Sequence, residues 1–226
     1  MRPLIIMNGG KIDWFHTVIR MLMYLAGVAV LALGMSLQTA SGLGVAALTC
    51  FATTLSMLTG KTLGFWITAT YVAYIVAQFT ILRREFQPRI LLELCFSTLI
   101  GGFTDFFMAV NPLHPAALPI QVETMLLSLA VTAFGVSLVV NMGVVPNAPD
   151  GLVQVIAEKI KRRFGDVKVV FDCSHVAVSL VLSLALMHNL GGFGVTTAIS
   201  ALFLGHVINI ANKLFAQRFV RAAFGK

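Results

Sequence analysis

The chain has 226 residues, 58% of them hydrophobic and only 11% charged, and a mean hydropathy of +0.91, whereas soluble domains run at roughly 45–50% apolar and 25% charged. A water-soluble fold could not cover that much apolar surface, which excludes a soluble enzyme or binding module and implies an integral membrane protein. The basic residues behind the formal charge of +7 lie between apolar runs, so they speak of membrane topology and not of nucleic acid.

The N-terminal stretch, residues 1–16, is short and polar, and the apolar run that follows has no Ala-x-Ala-type site, so a cleaved signal peptide is not expected. Apolar runs long enough to cross ~30 Å of hydrocarbon cover residues 21–38, 65–82, 90–110, 125–140, 169–187 and 195–212. Two shorter helix-like stretches, 45–58 and 152–164, follow segments rich in Gly, Asn and Pro and are too short to cross. Cys50, Cys95 and Cys173 all fall in apolar segments without metal-ligand spacing and read as small buried residues.

Lys and Arg collect in cytoplasmic loops. If both short stretches dip in and return, the N-terminal Arg2, Lys11 and Arg20, then Arg83, Arg84 and Arg89, and the groups at 159–168 and 213–226 share one side. That puts 15 of 16 basic residues in the cytoplasm with only Lys61 outside. His114, in the loop 111–121, and His188 are then external, and both termini are cytoplasmic.

The chain also aligns with itself. A shift of 101 residues places Leu33-Gly34-Met35-Ser36-Leu37 on Phe134-Gly135-Val136-Ser137-Leu138, Gly42 on Gly143 and Gly64 on Gly165, and a shift of 103 places Gly102 on Gly205. Three crossings per half invert the second half relative to the first. The expected fold is an all-α membrane protein of about six transmembrane helices, an inverted 3+3 repeat with two short re-entrant helices. Residues 1–110 form the first repeat, with its re-entrant segment near 40–60, and 111–226 the second, with its own near 141–165. Such interrupted inverted repeats are the sequence signature of secondary transporters, and the breaks at 40–47 and 141–151 mark the place of a central site. Ordinary interfacial loops followed by surface helices are the plainer reading of the same breaks.

Gly42-Leu43-Gly44, Thr59-Gly60-Lys61 with Gly64, Pro149-Asp150-Gly151, and Thr196-Thr197-Ala198-Ile199-Ser200-Ala201 with Gly205 resemble the YczE/YyaS/YitT-type bacterial membrane proteins, over about residues 21–212. The resemblance implies a multi-pass protein of the bacterial inner membrane. It implies no catalytic residue and no substrate.

In the second break Pro149 keeps a helix from continuing, and Asp150 reads as the N-cap of 152–164. Alternatively, the free amides there, with Asn147, Asp150, Gly151 and Gln154, face a cavity, where a helix N-terminus favours an anionic group. In the first half Thr49 stands where Asp150 stands in the second, and Ser36, Ser41, Gly42 and Gly44 supply polar groups and close backbone approach. His206 lies mid-span and joins this substrate-binding set, facing either a cavity or a packing partner.

Ionisable groups inside spans are costly. Asp172 and His175, three apart, could pair on one helical face, and with Asp105 they are the proton-coupling candidates. Glu93 either snorkels or pairs with Arg89, and Asp105 can instead be solvated near the outer headgroups.

No His-Glu-x-x-His, Gly-x-Ser-x-Gly or P-loop pattern is present, and Gly102-Phe103-Thr104-Asp105 is not the Gly-x-Gly-Asp of intramembrane aspartyl proteases, so no enzyme, metal or cofactor is expected. The expected function is a secondary transporter for a small anionic or zwitterionic solute, with proton coupling. A lipid-headgroup flippase and a non-transporting scaffold or regulatory subunit are the alternatives. The expected partners are the bilayer and that solute or headgroup, not nucleic acid, and pairing with a second copy of the chain stays open.

Overall fold

The computed structural model describes residues 7–8, 11–83, 88–111, 113, 115–145, 147–188 and 192–224. Apart from a two-residue antiparallel ladder, Met7–Asn8 with Lys11–Ile12, and a 3-10 turn at Pro88–Leu91, these residues form helices. They are α1 Trp14–Ser41, α2 Ala47–Thr59, α3 Leu63–Leu82, α4 Leu92–Val110, α5 Leu118–Met142, α6 Ala148–Lys159, α7 Phe164–Leu182 and α8 Val195–Phe224. A π turn, Ser183–Met187, prolongs α7. Six of them, α1, α3, α4, α5, α7 with its π turn and α8, are long and apolar enough to cross a bilayer. At 13 and 12 residues, α2 and α6 would reach only ~20 Å. Arg2, Arg84, His114 and Pro146 lie outside the described residues.

Several helices outrun their apolar stretches, for identifiable reasons. The first begins at Trp14, not near 21, because Asp13 caps it, its carboxylate accepting the His16 backbone N–H at 3.1 Å. Arg20 can then lie inside the helix: it is fully buried and donates to the carbonyls of Met142 (2.7 Å) and Gly143 (2.9 Å) at the C-terminal end of α5. Those carbonyls are unpaired by the helix and carry its negative end, so the buried cation is compensated. Arg20 is thus a packing element and not a loop charge. At the other end of the chain, α8 continues past the apolar run through Lys213 and Arg218 to Phe224.

The first turn of α6 tolerates Pro149, whose missing N–H would be unpaired there anyway. The helix therefore starts at Ala148 and not near 152. Asn147 occupies the N-cap position, and Asp150 lies inside the first turn. Of the three cysteines only Cys50 is buried; Cys95 and Cys173 are exposed, as side chains on a lipid-facing surface are.

The centre of the molecule is the crossing of α1 and α5, which run antiparallel. A Cβ on Gly27 would press on Val139, one on Gly34 on Thr132, and one on Gly135 on Leu31. The last two contacts are reciprocal at the 101-residue offset, since Leu31 corresponds to Thr132 and Gly34 to Gly135. Two hydrogen bonds repeat likewise: Asn111 donates to the Ser36 hydroxyl, and the Ser137 hydroxyl donates to Asn212, each pair 75 residues apart. Element starts follow the same offset, Ala47 with Ala148 and Leu63 with Phe164.

Two short breaks separate α1 from α2 and α5 from α6. Gly42 (φ 71°) and Gly143 (φ 56°) end the long helices in the left-handed conformation. After the first, Val45 N–H donates to Gly192 O (3.0 Å), Thr196 N–H to Leu43 O (2.9 Å), and Ala46 N–H to the Gln38 side chain (3.0 Å). Gly44 (φ 98°) lies so close to Gly194 that neither position has room for a side chain. After the second, Tyr24 donates to Val145 O at 3.4 Å. Non-helical backbone among apolar helices is thereby paired with protein.

The flanks of the two halves differ. On one side α3 and α4 pack along their lengths, brought together at Gly64 and Gly101, with Thr68 donating to Ser97 O (3.1 Å). Their counterparts α7 and α8 have no comparable packing against each other among the described residues. Gly165, the counterpart of Gly64, has open space around it.

Candidate functional site

Between α7 and α8 lies a cleft of about 480 Å³. Its lining takes Leu31, Phe96 and Val139 from α1, α4 and α5, and the starts of both short helices: Ala46, Ala47 and Leu48 of the first, Asn147 and Asp150 of the second. One wall carries Lys168, Val169 and Asp172 on α7, the other Ser200, Ala201, Leu204, Gly205 and Ile208 on α8.

The polar groups of the cleft are arranged by sign. Lys168 Nζ lies 3.0 Å from Asp150 Oδ1 on α6 and 3.1 Å from Asp172 Oδ1 one turn along α7, so one ammonium is shared by two carboxylates. With all three ionised the cluster carries one net negative charge. The carboxylate of Asp150 also offsets the positive end of its own helix. The start of α2 has no such offset: Ala46 provides no side-chain cap, and the third residue, Thr49, turns its hydroxyl to Ala46 O at 3.0 Å. The first amides of α2 therefore present partial positive charge to the cleft. Asn147 Oδ1 is buried without a hydrogen-bond partner.

The residues picked out from the sequence are divided among several places. Asn147, Asp150 and Asp172 line the cleft. Ser36 and Gly42 line a second cavity, of about 340 Å³, beside Asn111 and Pro115. Ser41 is buried and donates to Gln38 O (2.7 Å), while Gly44 and Gly151 are packing contacts, Gly151 against the Glu93 and Gln78 side chains. Thr49 is buried in its own helix. Gln154 is exposed, bonded to Glu158 (2.9 Å), and His206 is exposed on α8; neither lines the cleft.

Among the proton-coupling candidates, Asp172 turns to Lys168 and not to His175. His175 donates from Nδ1 to Phe171 O (2.7 Å), which leaves Nε2 to accept from the Tyr74 hydroxyl on α3. Asp105 accepts the Gly64 backbone N–H at 2.7 Å and so caps the start of α3 from α4. Sequence reasoning missed Lys168, which it counted only as a cytoplasmic charge, although its i, i+4 spacing to Asp172 was available as a signal. It also missed the Glu93–Gln78 pair, buried and 2.8 Å apart.

Six helices long and apolar enough to cross a bilayer, with two short ones in the chain between them, define a multi-pass membrane protein. Residues 18–213 match the model of the family of unknown function DUF6198, and the chain belongs to that family. No curated protein and no solved structure matches it.

Proposed function

We propose that the protein is a secondary transporter, an inverted 3+3 repeat with α2 and α6 as re-entrant helices, that binds a small zwitterionic solute in the cleft. The observation that carries this reading is the two-signed lining: an acidic cluster around Lys168 at one end and the uncapped start of α2 at the other. An ammonium group fits the carboxylates of Asp150 and Asp172, and a carboxylate or phosphate fits the free amides of Ala47 and Leu48. The antiparallel, reciprocal contacts of α1 with α5 support inversion, because a two-fold that reverses these helices reverses everything attached to them. Interrupted helices at matching places in inverted halves are the usual setting for a transporter site. The motif resemblance to YczE/YyaS/YitT-type proteins and a bacterial inner-membrane location with cytoplasmic termini belong to the same reading. A cleft bordered by the starts of both short helices favours transport over a scaffold that holds no cavity.

Asp172 is the proton-coupling residue of this reading. A proton on its carboxyl removes one of the two anions holding Lys168 and leaves Asp150 to share between Lys168 and the solute's ammonium. The test is counterflow of radiolabelled glycerophosphoethanolamine in proteoliposomes. Exchange well above that of empty liposomes is expected, with at least a tenfold loss in Asp172→Asn and Lys168→Met. Exchange unaffected by either substitution, or none in the native protein, would sink the proposal.

A further inference from the structure

We infer that the solute is an amphiphile, a zwitterionic headgroup bearing one apolar chain, and that it enters the cleft sideways from the bilayer between α7 and α8. The inference rests on the transporter reading and adds the chemical class of the substrate and its route.

Three observations carry it. The polar lining is confined to the starts of the two short helices, Lys168, Asp172 and Ser200, while the rest is hydrocarbon, with Leu31, Phe96, Val139, Val169, Leu204 and Ile208 among it. A headgroup-sized solute would leave this surface wet, whereas a chain would cover it. Next, the cleft is lined from both α7 and α8, two long apolar helices with no more than marginal contact between them, which leaves a way in for hydrocarbon chains. Finally, the opening is specific to the second half. The glycines that clamp α3 to α4 are answered there by Gly165, with nothing near it, and at the 103-residue offset by Leu204, which lines the cleft. Charge complementarity then orients the guest: ammonium toward Asp150 and Asp172, phosphate toward the start of α2, chain outward.

The test uses lysophosphatidylethanolamine with a diazirine in its chain, irradiated in phosphatidylcholine proteoliposomes, with adducts mapped by mass spectrometry. Adducts are expected on Val169, Leu204 and Ile208, with at least a tenfold loss in Asp172→Asn and in Ala201→Trp. Ala201 is exposed at the mouth, so the tryptophan plugs the gap without entering the packed interior. Adducts confined to outward positions such as Leu202 and Phe203, with glycerophosphoethanolamine counterflow intact, would overturn the amphiphile and leave the zwitterion reading standing. The absence of both cleft adducts and counterflow would overturn the two together. If Ala201→Trp misfolds, Asp172→Asn decides alone: undiminished cleft labelling in that variant overturns the inference.

Discussion

Arg20 lies just before the apolar run of the first span, yet it is among the most buried side chains of the described residues. Hydrogen bonds to a charged group contribute more than neutral ones, and breaking a buried charged pair is strongly destabilising. Arg20→Met removes the cation and leaves the Met142 and Gly143 carbonyls unpaired, so a loss of about 2–4 kcal/mol is expected in equilibrium unfolding in micelles. Glu93 poses the opposite problem, a buried carboxylate with one oxygen bonded to Gln78 and the other without a partner. Glu93→Gln keeps the bond and removes the charge, and should leave stability equal or higher. Glu93→Ala should cost about 1–3 kcal/mol by stranding the Gln78 amide. At Asp13 the His16 backbone N–H, and after it the His16 ring, hold the carboxyl below the usual carboxylate range. A depressed folded-state pKa stabilises above the unfolded value and is lost as pH falls through the folded one. Hydrogen exchange at residues 14–17 should therefore accelerate only in strong acid, and Asp13→Ala should abolish that acid step.

Among elements, all eight helices and both breaks were legible in the sequence, because apolar run length and glycine placement report them directly. Their ends were less so. The start of the first helix depended on whether Arg20 could be buried, which only the far end of α5 decides. The start of α6 depended on Pro149 being in a first turn and not before it. Little of the cleft was legible: Asn147, Asp150 and Asp172 line it, the other named residues do not, and Lys168 became visible only when α6 was laid beside α7. Ser36 and Gly42 line another cavity, beside Met108, Asn111 and Pro115. Glycine packing provides the test at this scale. Gly64→Leu should destroy the α3–α4 contact and a monodisperse elution profile, whereas Gly165→Leu, into open space, should leave both expression and elution unchanged.

For the whole molecule, the inverted reading puts position 61 outside and positions 162 and 218 in the cytoplasm. Single cysteines at these sites, in a chain stripped of Cys50, Cys95 and Cys173, should react with an impermeant maleimide on intact cells only at 61. Labelling at 162 would remove the inversion. The unequal flanks carry a further consequence, for motion. One flank is fastened by glycine contacts, by Asp105 on the start of α3 and by Thr68 on α4, while on the other α7 is held to α2, α3 and α6 and α8 to α5, with no such fastening between α7 and α8 among the described residues. The two halves, alike in plan, should not move alike: α3 and α4 should stay together, whereas the gap between α7 and α8 should open and close. Paired spin labels should report a narrow distance distribution between α3 and α4 and a broad one between α7 and α8, on the μs–ms timescale of helix displacement, with the broad one narrowing when the cleft is filled.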